Sequence, residues 1–180
     1  IPALYISIII SSLFGLLYLQ RYTKFATFAI NQLIKNMEDL IFIEANEVRP
    51  EYISGINNLL SQLTSSPKEM NETLLRTIIG TDRTHLFLAF IGSQMVGMAT
   101  LAAYVIPTGT KAWVEDVVVD NNFRGRHIGK KLVNHVVEYC KKYHPCSLML
   151  TSRPMRVAAN RLYSSVGFEK RETNVYKIEV

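Results

Sequence analysis

Residues 113 to 131 read Trp-Val-Glu-Asp-Val-Val-Val-Asp-Asn-Asn-Phe-Arg-Gly-Arg-His-Ile-Gly-Lys-Lys, and no other stretch of the chain restricts its fold so tightly. Val117, Val118 and Val119 are β-branched and read as a buried strand, and Asp120-Asn121-Asn122 is turn chemistry. From Ile128 the apolar residues Leu132, Val133, Val136, Val137 and Cys140 recur at helical spacing, with Lys130, Lys131, Asn134, Glu138 and Lys141 between them. A strand must therefore pass through a basic, glycine-containing turn directly into a helix N-terminus. There the first N–H groups lack intrahelical partners and the macrodipole is positive, so a phosphate or pyrophosphate is the natural guest.

The charge distribution supports that reading. Residues 1–36 carry three cations and no acids, residues 37–119 five cations against ten acids, and residues 120–171 eleven cations against three acids. Such a field favours an anionic ligand on the C-terminal half and a cationic one on the preceding part. A length of 180 residues suits one α/β domain with a single core. Cys140 and Cys146 form no Cys-x-x-Cys pair and read as free thiols of a reducing compartment. His85, His127, His135 and His144 lack metal-ligand spacing, so no metal site is expected. No nucleic-acid interface is expected either, because Ile128 and Leu132 make the basic helix amphipathic and no aromatic platform accompanies its cations.

Residues 1–19 hold no charge and match the length of a bilayer-spanning helix, about 20 residues. Arg21 and Lys24 follow at once, which places the rest of the chain on the cytoplasmic side if the run is a membrane anchor. A buried or partner-facing helix and a non-native extension are the alternatives. The pattern becomes that of a compact domain near residue 36, dividing the chain into a hydrophobic segment, 1–36, and a domain, 37–180.

Within the domain, Leu40 to Glu44 alternates as a first strand, and Pro50 opens a helix through Ile53, Ile56, Leu59, Leu60 and Leu63. A second helix through Met70, Leu74, Leu75 and Ile78 stops at Gly80. His85–Ile91 and Met95–Ile106 read as a hairpin about Gly92-Ser93-Gln94. Pro107-Thr108-Gly109-Thr110 is a loop leading to the strand around Val117. After the long helix come a strand at Ser147–Thr151, a helix at Val157–Val166 ended by Gly167, and a last strand through Val175–Val180.

This order, with Arg124-Gly125-Arg126-His127-Ile128-Gly129 and Asn160-Arg161-Leu162-Tyr163-Ser164-Ser165-Val166-Gly167-Phe168, resembles the GNAT superfamily of acetyl-CoA-dependent N-acetyltransferases over about residues 40–178. The first motif is similar to that family's pyrophosphate loop, Arg/Gln-x-x-Gly-x-Gly/Ala, and the second to its Leu-Tyr-x-x-x-Gly-Phe. A Walker P-loop does not fit, because the Gly125–Gly129 spacing is one residue short and Lys131 stands where a hydroxyl is needed. The resemblance implies an α/β GNAT fold, a mixed sheet of six to seven strands with flanking helices, and acetyl-CoA as co-substrate.

It also implies roles. Backbone N–H groups from Arg126 to Lys130, with Arg124, Gly125, Arg126, His127, Ile128, Gly129 and Lys130 forming the loop, would hold the pyrophosphate of coenzyme A. His127 replaces the usual Gly, so its Cβ must point away from the phosphates or its φ must be negative. Glu115 and Asp116 are expected on opposite faces by strand alternation, one toward the core layer and one toward the cleft. A partly buried carboxylate can take the proton of an amine acceptor, and the resemblance favours Glu115 over Asp116. Simple pairing with a nearby cation is the alternative for either. N–H groups near Val117, Val118 and Val119 would steady the tetrahedral intermediate. Tyr163 matches the tyrosine that protonates the departing thiolate; a core aromatic is its other reading. Arg156 stands where an Asn often sits, so Arg156 or Asn160 would take over that contact to the pantetheine arm.

Direct acetyl transfer to a primary amine is thus the expected activity, with a non-catalytic acyl-CoA-binding regulatory module and a membrane-tethered interaction protein as rivals. The acidic balance of residues 37–119 points toward a cationic acceptor such as a polyamine, a Lys side chain or a protein N-terminus. Pairing into a homodimer and membrane association through residues 1–19 complete the expected partners.

Overall fold

A computed structural model describes residues 23, 24, 27 and 39–179. The chain divides between Asp39 and Leu40 into two units. Thr23, Lys24 and Thr27 in the first are helical. The uncharged run 1–19 and the boundary expected near residue 36 lie outside the described residues. Among the described residues, no helix is long and apolar enough to cross a membrane.

The second unit is built on a five-stranded mixed sheet in sequence order. Its strands are β1 (Leu40–Glu44), β2 (Thr84–Ile91), β3 (Gln94–Ile106), β4 (Gly109–Val119) and β5 (Cys146–Met149). The first four pair antiparallel, and β5 joins β4 in parallel. Helix α1 (Pro50–Leu63) starts on a proline, which needs no N–H partner at that place, and buries Tyr52, Ile56 and Leu59 along one stripe. Helix α2 (Glu72–Ile79) begins where the Asn71 side chain accepts the Leu74 N–H at 2.8 Å. Both rest on the sheet face that carries Leu86, Leu88, Met98 and Val118. Helix α3 (Ile128–Cys140) covers the other face, placing Leu132, Val136 and Cys140 against Phe87, Leu101, Ala112 and Val114. Helix α4 (Val157–Val166) ends at Gly167, as its sequence predicts.

Two expectations need correction. The sheet has five strands rather than six or seven, because residues 167–179 form neither helix nor strand. The alternation of Tyr176 and Ile178 with Lys177 and Glu179 suits a strand, but alternation needs a partner edge, and β5 offers only four residues. The second correction lies in β4. Thr100 on β3 faces Glu115 and Met98 faces Val118, so Asp116 and Val117 together stand opposite Ala99. This is a β-bulge, with Asp116 in the left-handed region at φ 51°.

The bulge resets which face each residue takes. Ala112 and Val114 lie in the α3-side core, and Val117, three positions after Val114, packs against that same core. Val118 crosses to the α1-side core. Simple alternation, which would bury one of the two neighbouring acids, therefore does not hold, and Glu115 and Asp116 are both exposed.

A buried polar cluster ties the far end of α3 to the sheet. The His85 Nδ1 lies 2.5 Å from Glu44 Oε1, Tyr139 donates to Glu44 Oε2 at 2.6 Å, and His85 Nε2 meets the Tyr143 hydroxyl at 2.5 Å. Burial alone would raise the Glu44 carboxyl, but the Tyr139 and His85 hydrogen bonds hold it below the ordinary value. The cluster joins β1, β2 and α3 at the end of α3 opposite the basic turn.

Candidate active site

The cleft begins where β4 and β5 part. Their pairing covers only Thr110–Trp113 against Cys146–Met149, so β4 from Val114 onward has no β5 partner along that edge. Parting leaves an opening between two parallel strands, and the bulge at Asp116 bends β4 at its mouth. Glu115 sits there with its carboxyl raised above the usual range, first by burial and then by the negative charge of Asp116. Burial raises Asp116 as well. Two neighbouring carboxylates that resist ionisation can accept a proton more readily than ordinary surface acids.

Beyond β4 the chain enters the basic turn through Asp120, which is 3% exposed. Its Oδ1 accepts the Asn122 N–H at 2.8 Å, and its Oδ2 accepts from Gln62 at 3.1 Å and Asn58 at 3.3 Å. Gln62 returns the contact by accepting the Asn121 N–H at 2.8 Å. The Asn122 backbone bond leads in holding the Asp120 carboxyl below its ordinary value, with Gln62 and Asn58 adding to it against the opposing effect of burial. The turn is thereby pinned to α1. Asp120→Ala should lower stability by about 2 kcal/mol, or roughly 4–8 °C in Tm, because it leaves these donors without their acceptor. A depressed folded pKa gives a contribution that is full above the unfolded value of about 3.9 and lost as pH falls through the folded value. Thermal unfolding from pH 7 to pH 3 should therefore show the gap between wild type and variant closing on the acid side.

The turn itself matches an anion site. Gly125 adopts φ 80° and His127 φ 59°, both left-handed, so the negative-φ alternative for His127 does not occur. A non-glycine residue held there costs about 1 kcal/mol. The first intrahelical bond of α3 runs from Lys131 N–H to His127 O at 3.1 Å. The N–H groups of Ile128, Gly129 and Lys130 therefore precede the helical ladder and point out of the helix start. Gly129 packs closely against α4, since a Cβ there would come within 2.9 Å of Leu162 Cδ1, which would have to shift. The Arg124 Nε donates to Val119 O at 3.1 Å, and the Arg126 guanidinium lies 5.0 Å from the Phe123 ring centre. Both cations are thus held at the rim of the turn.

Helix α4 lies beside the start of α3, where Leu162 approaches Gly129. Tyr163 is half-buried, its ring meeting Phe168 edge to face with centres 6.1 Å apart. Burial raises its hydroxyl pKa, opposed in part by the positive charge of Arg156. Arg156 donates to Leu63 O at 3.1 Å, bracing α4 against the end of α1. The Asn160 amide donates to Arg153 O at 3.0 Å and closes the turn that precedes α4. Both side chains proposed for the pantetheine arm thus also hold local structure. Val117, Val118 and Val119 lie between bulge and turn, with Val118 buried and Val117 and Val119 half-buried.

Three features escaped sequence reasoning. The tether from Asp120 to Gln62 joins residues 58 apart, and no local pattern announces it. Trp113 shares the Glu115 side of β4, because both lie before the bulge and are two residues apart; that parity was readable. The Ser152 hydroxyl, just past β5, is buried with no hydrogen-bond partner among the described residues. Cys140 and Cys146 are free, with sulfurs 4.0 Å apart, and burial followed by the neighbouring thiol pushes the Cys140 pKa up to about 11. Among the described residues, no group of three or more His, Cys, Asp or Glu is placed to hold a metal ion.

A strand that splays from its parallel neighbour and runs into an open-ended helix start offers backbone N–H groups suited to a phosphate. The family model described as acetyltransferase (GNAT) family matches residues 53–168, and the chain belongs to that family of acyltransferases, which use acetyl-CoA. The chain is 29% identical over 93 residues to an N-acetylaspartate synthetase of Danio rerio, covering 51% of this chain and 32% of that protein. It is 48% identical over 33 residues to a glucosamine 6-phosphate N-acetyltransferase of Arabidopsis thaliana, covering 18% of this chain and 22% of that protein. The chain thus spans a third or less of the length of these relatives. A putative acetyltransferase from Agrobacterium tumefaciens superposes with a TM-score of 0.68 at 23% identity, over 77% of this chain and 99% of that one, and has the same fold.

Proposed function

We propose that this chain is an N-acetyltransferase that moves an acetyl group from acetyl-CoA directly to the primary amine of a small molecule. The observation that carries this reading is the continuity of the splayed strand, the bulge acids and the unladdered N–H groups of Ile128, Gly129 and Lys130. One relative above is named for N-acetylation of glucosamine 6-phosphate, an amine, which supports the class and leaves the particular acceptor to this chain's own cleft. The fit to acetyl-CoA rests on the open helix start, which suits its pyrophosphate, and on the orphaned Ser152 hydroxyl beside the cleft.

The proposed chemistry needs no covalent enzyme intermediate. Glu115 takes a proton from the acceptor ammonium, directly or through one water, with Asp116 the alternative base. The freed nitrogen lone pair attacks the thioester carbonyl carbon, and the carbonyl π electrons move to oxygen. N–H groups of the Val117–Val119 segment face that oxygen. Collapse of the intermediate breaks the carbon–sulfur bond, the Tyr163 hydroxyl donates its proton to the leaving thiolate, and the second proton of the attacking nitrogen passes through water to the Tyr163 phenolate, leaving a neutral amide. Arg124, Gly125, Arg126, His127, Ile128, Gly129 and Lys130 hold the pyrophosphate, and Arg156 and Asn160 flank the pantetheine arm.

Release of free thiol from acetyl-CoA by the whole chain, measured beside the mass of the product across a panel of amines, tests this. Amine-dependent thiol release with one N-acetyl product per thiol is the expected result. Tight acetyl-CoA binding without amine-dependent release would instead identify a regulatory acyl-CoA-binding module.

A further inference from the structure

Helices α1 and α2 cover their sheet face over β1 and β2 and around Met98 and Val118, but the same face toward β5 is left open. Register places Thr100 opposite Glu115, Ala102 opposite Trp113 and Tyr104 opposite Lys111, while Trp113 meets Met149 across the parallel pair. None of these residues is buried. The Trp113 Nε1–H donates to the Tyr104 hydroxyl at 2.9 Å, which fixes the two aromatic rings relative to each other. An open cleft here is lined by Ala102, Trp113, Glu115, Thr151 and the Val175–Lys177 segment, so an apolar, aromatic floor ends at the carboxylate of Glu115.

The charges around this floor discriminate between amines. Lys177 is engaged by Glu179 at 2.5 Å. Lys111 shares the strand face but lies four residues from Glu115, about 13 Å along the strand. An α-amino acid bears its carboxylate on the carbon that holds its amine, so that carboxylate would meet Glu115 and Asp116 rather than Lys111. A polyamine needs further acids along its length, whereas the floor beyond Glu115 presents Trp113, Ala102 and then a cation. A ring lying on the indole with its ammonium at Glu115 satisfies both parts of the floor, through apolar contact and charge pairing.

We propose that the acceptor is a primary monoamine on a flat, apolar body of the arylalkylamine type, seated on the Ala102–Trp113 floor with its nitrogen at Glu115. The inference rests on the N-acetyltransferase reading of the same cleft. Trp113 is the only tryptophan of the chain, so its emission reports directly on the floor. Titrating the whole wild-type chain with 2-phenylethylamine, spermidine, L-aspartate and glucosamine 6-phosphate should give a saturable change in emission for 2-phenylethylamine alone. In parallel thiol-release assays its kcat/KM should exceed those of the other three by about tenfold or more, the scale of one lost aromatic contact. Ala102→Leu, which fills the floor, should raise its KM about tenfold with acetyl-CoA affinity unchanged. Preference for spermidine or either anionic amine overturns the proposal and leaves the N-acetyltransferase reading standing, and unchanged emission with 2-phenylethylamine also overturns it. Saturable emission change with no thiol release keeps the floor and removes the catalytic reading. The wild-type titration decides the matter even if Ala102→Leu fails to fold.

Discussion

Glu115→Gln is expected to lower kcat/KM about 100-fold and to abolish the acid limb of its pH profile, the scale associated with removing a positioned general base. The sign follows from the raised carboxyl of Glu115. Protonated Glu115 cannot accept the acceptor's proton, so wild-type activity should climb as pH rises through a pKa above the ordinary carboxylate value, then level off. The amide neither titrates nor accepts, and the limb disappears with it. Stability should move the other way: a carboxyl whose folded pKa is raised favours folding most when protonated, so at neutral pH its charge opposes folding. The Gln variant should therefore unfold at no lower temperature than wild type at pH 7. A retained acid limb would move the base to Asp116 or to water, and lost stability would make Glu115 a structural acid.

Tyr163→Phe should reduce kcat by about 10- to 100-fold while the Kd for acetyl-CoA stays within about threefold. Phenylalanine keeps the edge-to-face contact with Phe168 and removes only the hydroxyl. A phenol whose pKa is raised by burial stays protonated across the working pH range, which suits an acid that must give its proton to a thiolate. Equal kcat in both proteins would leave Tyr163 as a packing residue. A large loss of acetyl-CoA affinity would place the hydroxyl in binding rather than in proton transfer.

Much of this site was legible in order along the chain. Helical spacing from Ile128 to Cys140 fixes α3 residue for residue, and Pro50 marks the start of α1. Those signals are local, so a sequence can carry them. The failures involve partners. Whether Val175–Val180 becomes a strand depends on an edge to pair with, and the described part of that segment pairs with none. The bulge at Asp116 depends on which β3 residue faces which β4 residue, and only the pairing reveals it. His127 illustrates a middle case: the glycine usual at that position signals a left-handed backbone, and the imidazole residue adopts it at φ 59°. The Asp120 tether required knowing that the end of α1 returns to the turn.

The bulge sets what kind of variation this strand can accept. Because β4 changes face once, between Glu115 and Val118, it reads as two phrases joined by a single extra beat. Substitutions within either phrase keep the remaining residues in place. Deleting Asp116 would erase that beat and leave Val117 opposite Ala99 and Val118 opposite Met98 on the faces they already occupy, so the bulge alone is lost, whereas one further inserted residue would turn Val118 away from the α1-side core. Descendants of this sequence can therefore diversify the cleft letter by letter, while a change in the length of this strand alters either the bulge that displays Glu115 and Asp116 or the register that leads from them to the helix start.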